Sequence, residues 1–341
     1  MTLYSPHHTV RWGIIGCGDV TEKKSGPAFQ KATGSALVAV MRRSGDLAKD
    51  YAARHGVPRW YDDADALVND GGVDAVYVAT PPGSHLEHAL RAANAGKPVY
   101  VEKPMALDRD ECREMYEGCL AARGGRGVPL YVAYYRRALP RFLRVKRLIE
   151  DGAIGTVRTV QHTLTQPPTP AELAGGPLPW RVDPAVAGGG KFVDLASHAL
   201  DLFDFLFGPI ADVAGRAANQ AGLYPAEDVV AGTWAHAGGV VGTGLYSFAA
   251  AERVDRCEVV GSAGTLTFQV MDNGPIELKP AGGGERQTFH EPDPEHVQQP
   301  LIQTVVDDLR GVGTCPSTGE SAWRATWAID KMLAGYRAAR A

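Results

Sequence analysis

No stretch of this 341-residue chain approaches the roughly 18 consecutive apolar residues needed to cross a bilayer. Met1 to His8 also lack the apolar run of a signal peptide, so a cytoplasmic protein without a membrane partner is expected. The five cysteines, Cys17, Cys112, Cys119, Cys257 and Cys315, are odd in number and scattered. None forms a Cys-x-x-Cys pair for zinc or redox chemistry, and they read as buried thiols. A net charge of -4 gives no general attraction to nucleic acid or acidic membranes, which leaves a small molecule as the natural partner. No internal repeat is present. What remains is an ordinary globular composition, 45% hydrophobic and 22% charged, in a chain long enough for two domains with their own cores.

The first part of the chain alternates short β-branched runs with alanine-rich amphipathic stretches, the βαβ pattern of a doubly wound parallel sheet. Strands are predicted near Val10 to Ile15, Leu37 to Met41, Ala75 to Ala79 and Pro98 to Val101, with Tyr131 to Tyr134 a further candidate. One helix should follow His85, and another should start at Asp108 with Glu111 completing a capping box. The glycine-rich break at Gly124 to Gly127 suggests a boundary, giving a dinucleotide-binding Rossmann domain over 1–127.

Beyond the break the pattern changes. Gly155 to Thr165, Asp228 to Ala235, Val240 to Phe248, Arg256 to Val259 and Thr265 to Val270 follow with little helix between them, which predicts a largely antiparallel open sheet. Helices are expected at Pro140 to Glu150, Lys191 to Phe207, Val297 to Leu309 and Glu320 to Arg340. Residues 128–341 thus read as an α+β domain, whose C-terminal helix can pack back on the N-terminal domain. The proline- and glycine-dense segment Gln166 to Pro184 reads as a structured loop near substrate or at a subunit contact.

Gly16-Cys17-Gly18 directly follows the first strand, where glycines allow a tight turn and close approach to a pyrophosphate. The full fingerprint would have glycine or alanine at position 21, but Thr21 stands there, and Ser25-Gly26-Pro27 falls where the first helix should be running. That helix is expected to be interrupted or late. The second strand runs out as Met41-Arg42-Arg43-Ser44, with no carboxylate before Asp46. Two guanidinium groups and a hydroxyl suit a 2′-phosphate, so NADP is the preferred cofactor and NAD the other possibility. The fourth strand ends in Ala79-Thr80-Pro81-Pro82, a rigid edge suited to packing beside ribose or nicotinamide. His85 and His88 have no carboxylate or cysteine nearby and suit capping or packing better than metal. The cofactor set is therefore Gly16, Cys17, Gly18, Asp19, Val20, Arg42, Arg43, Ser44, Thr80, Pro81, His85, Glu102 and Lys103, and no metal is expected.

Glu102-Lys103-Pro104 closes the apolar run Val99-Tyr100-Val101 and puts Lys103 at a carboxyl edge, where open α/β sheets bind ligands. Farther on, Gly188-Gly189-Gly190 leads into a helix whose polar residues Asp194, Ser197, His198, Asp201 and Asp204 occupy about a third of the wheel. Asp194 and His198 share a face at i and i+4, as a solvated stripe or as part of a site.

Taken together, Gly16-Cys17-Gly18, Ala79-Thr80-Pro81-Pro82, Glu102-Lys103-Pro104, Arg137 with Pro140, Gly152 to Gly155, Trp180-Arg181 and Gly188 through His198 resemble the Gfo/Idh/MocA family of glucose-fructose oxidoreductase and inositol dehydrogenase. The likeness covers nearly the whole chain, with Ala196 in place of a frequent glycine and Thr21 in place of the third fingerprint glycine. It implies a Rossmann domain joined to a sheet whose exposed face builds homodimers or homotetramers. It implies a catalytic group of Lys103, Asp194 and His198 and a cis Lys103–Pro104 bond, with Lys103 facing an interdomain cleft beside nicotinamide. The chemistry implied is NAD(P)-dependent hydride transfer at a carbinol or carbonyl carbon of a sugar, cyclitol or related polyol. His198 is the first choice for base, since imidazole titrates near neutral pH. Lys103 would hydrogen-bond the reacting oxygen and can share the proton-transfer role, and Asp194 would orient His198 or bind a neighbouring hydroxyl. Tyr135, Arg137, Trp180 and Arg181, with Asp194 and His198, are the candidate substrate contacts. Two other readings stand beside this one: a glycosidase of the same family that oxidises its substrate transiently, and a non-catalytic cofactor-binding regulator.

Overall fold

Short β-branched runs that are apolar on both faces need helices on either side, and such runs build the first sheet. The computed structural model of the protein describes residues 3–340. The chain divides into two units, one ending at Leu139 and resuming over Pro294–Trp323, the other comprising Pro140–Asp293 and Arg324 onward.

In the first unit β1 (Val10–Ile15), β2 (Ser35–Met41), β3 (Arg59–Tyr61), β4 (Ala75–Val78), β5 (Val99–Val101) and β6 (Leu130–Val132) form a six-stranded sheet in the order β3-β2-β1-β4-β5-β6. All its pairings are parallel. This is the doubly wound order, with its switch point between β1 and β4. Every residue of β4 and β5 is buried, as the apolar runs require. Because β6 pairs with β5, the candidate strand at Tyr131 belongs to this sheet, and the unit runs on past the Gly124 to Gly127 break to Leu139. Helix Gln299–Leu309 returns to the same unit and buries Leu301, Ile302, Val305, Val306 and Leu309 in its core. Trp12, Phe29, Tyr77 and Tyr100 form the aromatic centre of that core, with Tyr77 and Tyr100 stacked at 5.0 Å.

The second unit holds β7 (Val157–Thr165), β8 (Ile210–Ala218), β9 (Val229–His236), β10 (Val241–Ser247), β11 (Val254–Gly261), β12 (Gly264–Phe268), β13 (Ile276–Pro280) and β14 (Gln287–Phe289). They order as β14-β13-β12-β11-β7-β10-β9-β8, antiparallel except for the β7–β10 pair. Exposed and buried residues alternate along β10 as expected of a sheet covered on one face. The covered face packs on helix Lys191–Phe207, where Phe203 stacks on Trp234 at 5.6 Å and Phe192 meets Tyr246 edge-on at 5.0 Å. The other face leaves Val241, Leu245, Val254 and Val260 exposed. Strand β8 was not expected from its sequence, because its alanine-rich residues lie on a sheet edge and nearly all are exposed or half-buried. Among the described residues, no helix is long and apolar enough to cross a membrane.

One ionisable pair is buried in the second sheet. His162 Nε2 lies 3.3 Å from Asp255 Oδ1, and neither side chain is exposed. The backbone N–H groups of Val270, Met271 and Asp272 also donate to the Asp255 carboxylate, at 3.1, 2.6 and 2.8 Å. Burial raises the Asp255 pKa, but the His162 hydrogen bond and these backbone donors together hold it below the usual carboxylate value. A depressed folded-state pKa contributes stability above the unfolded value of about 3.9, and that stability is lost as the pH falls through the folded value. Asp255→Ala is accordingly expected to cost about 3–5 kcal/mol at neutral pH, measured by denaturant unfolding. The difference from the unsubstituted protein should shrink below about pH 4; a loss independent of pH would show that packing alone is at stake.

Candidate active site

The turn after β1 is shaped by Gly16, at φ +90, where a Cβ would lie 2.7 Å from the Thr80 side chain and 2.9 Å from its backbone N. No side chain fits there, so the turn and the end of β4 are held against each other. At Gly18 a Cβ would meet nothing nearer than Gly16 O at 3.9 Å, which leaves the backbone open to a ligand. The first helix is broken, as expected, into Asp19–Lys23 and Gly26–Lys31. The Thr21 hydroxyl donates to Gly18 O at 2.7 Å, and Thr21 O accepts from the Tyr51 hydroxyl at 2.8 Å. A Cβ at Gly26 would stand 2.2 Å from both Thr21 O and the Tyr51 hydroxyl. Cys17 is fully buried, and burial pushes its thiol up to about 11.

At the end of β2, Arg42, Arg43 and Ser44 are exposed side by side. Arg42 donates to Cys17 O at 3.4 Å, which brings its guanidinium beside the glycine turn. Ser44 sits at the start of helix Gly45–His55 without capping it through its side chain. Asp46 lies in the first turn of that helix, beyond the strand end.

The carboxyl edge of β4 and β5 is tied together by His85. This buried side chain places Nε2 2.7 Å from Thr80 O, and Nδ1 3.1 and 3.3 Å from Pro104 O and Met105 O. Burial draws its pKa below the usual imidazole value against the pull of these carbonyls and of Glu102. The Lys103–Pro104 bond is cis. The Glu102 carboxylate takes the Tyr77 hydroxyl and Gln298 Nε2 on Oε1, each at 2.6 Å, and the Lys103 backbone N–H on Oε2 at 3.0 Å. After β6, Tyr135 stands close to Lys103. Burial pushes its phenol up, but the charges of Arg136, Lys24 and Lys103 together bring it below the usual tyrosine value. Arg137 is buried and donates to Pro316 O at 3.1 Å. The helix after β5 and Glu102-Lys103-Pro104, Arg109–Gly125, is capped by Asp108 at the Asp110 and Glu111 N–H groups. Glu111 itself reaches back to the Leu107 N–H, one residue beyond the Asp108 N–H of the expected box.

In the second unit the buried helix Lys191–Phe207 carries Asp194 and His198 one turn apart. Its N-terminal residue, Gly190, has no side chain to cap it, and Glu227 Oε1 supplies the acceptor for its N–H at 2.8 Å. Burial raises the Glu227 pKa. Lys191 pairs with the buried Glu172 at 2.7 Å, and Asp204 is held by both arms of Arg324 at 2.8 Å. Between these anchors, Arg181 Nε comes within 3.8 Å of Asp194 Oδ2, and its guanidinium stacks on the Trp180 ring at 4.5 Å. The proline-rich segment is structured by the capping box of Thr169 and Glu172. His198 is 4% exposed.

Of the candidate residues, the fold thus gathers Gly16 to Val20, Arg42 to Ser44, Thr80, Pro81, His85, Glu102, Lys103 and Tyr135 around the carboxyl edge of the first sheet. It gathers Trp180, Arg181, Asp194 and His198 in the second unit. Tyr77, Gln298, Glu172 and Glu227, which support these groups, were not anticipated. Among the described residues, no cluster of three or more histidine, cysteine, aspartate or glutamate side chains is arranged to hold a metal ion.

Residues 10–126 match the oxidoreductase family with an NAD-binding Rossmann fold, and residues 142–267 match the GFO/IDH/MocA C-terminal domain. Oxidoreductase P35 of Formosa agariphila is 37% identical over 321 residues, spanning 94% of this chain and 97% of the relative. A 1,5-anhydro-D-fructose reductase of Ensifer adhaerens is 29% identical over 96% of each chain. Among solved structures, an aldose-aldose oxidoreductase of Caulobacter crescentus complexed with glycerol superposes with a TM-score of 0.83, at 25% identity over 98% of each chain. With a doubly wound first unit, a mostly antiparallel second sheet and these matches along both, the chain belongs to the Gfo/Idh/MocA family of NAD(P)-dependent oxidoreductases.

Proposed function

We propose that this oxidoreductase prefers NADP and interconverts a carbinol and a carbonyl carbon in a sugar, cyclitol or related polyol. The observation that carries the reading is Arg181 reaching Asp194 one turn from His198 on a buried helix, in a chain that also carries Lys103 two residues past the end of β5. A polyhydroxylated substrate suits such a set, because each hydroxyl needs a charged or hydrogen-bonding partner once removed from water.

The first unit fits the cofactor. Its glycine turn is open at Gly18 and rigid at Gly16. Asp19, Val20, Thr80, Pro81 and His85 complete the wall, and Glu102 supports Lys103. Arg42, Arg43 and Ser44 would take a 2′-phosphate, with no acidic residue at the strand end to favour a free 2′-hydroxyl. When bound, the nicotinamide accepts or returns the hydride at C4.

The protein's own groups manage the proton and the geometry. His198 takes the alcohol proton during oxidation and returns it in the reverse direction. Lys103 hydrogen-bonds the reacting oxygen and can share that proton. Asp194 orients His198 or binds a neighbouring hydroxyl, while Arg181 and Trp180, with Tyr135 and Arg137, place the rest of the substrate. The exposed sheet face with Val241, Leu245, Val254 and Val260 suits burial between copies, giving a cytoplasmic homodimer or homotetramer.

Purified protein with NADPH or NADP should change absorbance at the nicotinamide band with at least one member of a panel of sugars, cyclitols and their carbonyl derivatives. Lys103→Ala and His198→Ala should each lower kcat by about 10²–10⁴-fold while nucleotide Kd changes little. Turnover like that of the unsubstituted protein in both variants would remove the catalytic assignment. Sugar release without net nicotinamide change would instead identify a glycosidase.

Cofactor choice has its own test. Arg42→Ala and Arg43→Ala together should weaken NADPH binding by about ten- to a hundredfold and leave NADH binding nearly unchanged, measured by fluorescence titration. Equal losses for both nucleotides would refute the 2′-phosphate role.

A further inference from the structure

Gln298 belongs to no cofactor or substrate motif, yet its amide bonds the carboxylate of the residue just before the proposed catalytic lysine. It is 1% exposed, and its amide reaches Glu102 from 196 residues later in the chain. Its Nε2 and the Tyr77 hydroxyl converge on one carboxylate oxygen at 2.6 Å, while the other oxygen receives the backbone N–H of Lys103 at 3.0 Å. Gln298 Oε1 in turn accepts from the Tyr100 hydroxyl at 3.4 Å. A buried carboxylate is costly unless donors surround it, and a satisfied network has few alternative arrangements. The side chain of Glu102 therefore takes its direction from Tyr77 and Gln298 and passes it to the backbone of Lys103.

We propose that Gln298 is a positioning residue for the reaction, setting the place of Lys103 through the Glu102 carboxylate. This rests on the reading of Lys103 as a catalytic group. The competing role is simple adhesion within the core, which would affect stability and nucleotide binding without touching the chemistry of Lys103.

Methionine matches glutamine in length and shape but cannot donate, so Gln298→Met removes the bond with little change in packing. Tyr77→Phe removes the other donor to the same oxygen and carries the same test should the first variant fail to fold. Glu102 faces Tyr77 and Tyr100 from β4 and β5, His85 from the helix after β4, and Tyr135 after β6. These groups stay in place in Gln298→Met. The expected result is a fall in kcat of about ten- to a hundredfold, with KM and NADPH Kd within about threefold. The split between kcat and KM supplies the second readout, since simple adhesion would move stability and nucleotide binding rather than kcat alone.

An unchanged kcat, in a background where Lys103→Ala is inactive, would overturn the role of Gln298 and leave the catalytic assignment standing. Parallel losses of kcat and nucleotide binding would also overturn it, as general damage. Full activity in Lys103→Ala would instead remove the reading on which the proposal rests.

Discussion

The Glu102 carboxylate is held by three donors from three parts of the first unit: the Tyr77 hydroxyl on β4, the Gln298 amide beyond the second sheet's strands in sequence, and the Lys103 N–H beside it. A parallel sheet buried on both faces offers its polar backbone to ligands only at the carboxyl edge. At that edge the last residues of each strand must be both satisfied and exact in position. Glu102 satisfies one side of the Lys103–Pro104 dipeptide, and His85 engages Pro104 O and Met105 O on the other while also reaching Thr80 O. The lysine backbone is thus immobilised from two directions. Such prior ordering removes an entropic cost from the reacting complex.

The second unit solves the same problem with a helix. Asp194 and His198 lie on a segment that lacks a side-chain cap of its own, since its start is Gly190. Glu227 accepts the Gly190 N–H, Lys191 pairs with Glu172, and Asp204 pairs with Arg324. Both ends are consequently anchored by charged groups, while Phe192 in the first turn and Phe203 farther along key the helix into the sheet. The buried His162–Asp255 pair lies on that same covered face, with His162 edge-on to Phe203 at 5.6 Å. Charge is spent in this unit on fixing where a helix sits, which hydrophobic contact alone leaves free to slide.

Central strands were readable because burial on both faces or strict alternation writes itself into residue type. Val10–Ile15 and Pro140–Glu150 have the bounds expected of them, and Lys191–Phe207 likewise. Strands β3, β8, β13 and β14 escaped: β3, β8 and β14 are edge strands with few buried residues, and β13, though inside the sheet, is five residues long with only Ile276 and Leu278 buried, so no apolar pattern marks them. The site divides in the same way. Lys103, Asp194 and Arg181 stand in local motifs and could be found by reading along the chain. Gln298 and Glu227 are single polar residues whose meaning comes from the residue they touch after folding, and nothing beside them in sequence points to Glu102 or Gly190.

The phosphate turn shows how a missing motif residue can be replaced by its physical purpose. The third glycine of the fingerprint normally allows the first helix to pack close to its strand. Here Thr21 occupies the position, and the helix breaks after Lys23, so the Ser25 N–H bonds to Val20 O rather than to Thr21 O. Thr21 O is then available to the Tyr51 hydroxyl, which is buried and pushed up to about 12 by that burial. Closing this bond brings the second helical segment so near that a Cβ at Gly26 would overlap both partners. The demand for a residue without a side chain has moved from position 21 to Gly26. The two glycines that must approach a ligand, Gly16 and Gly18, stay where the chemistry needs them, and a hydrogen bond from the next helix takes over the packing role of the third.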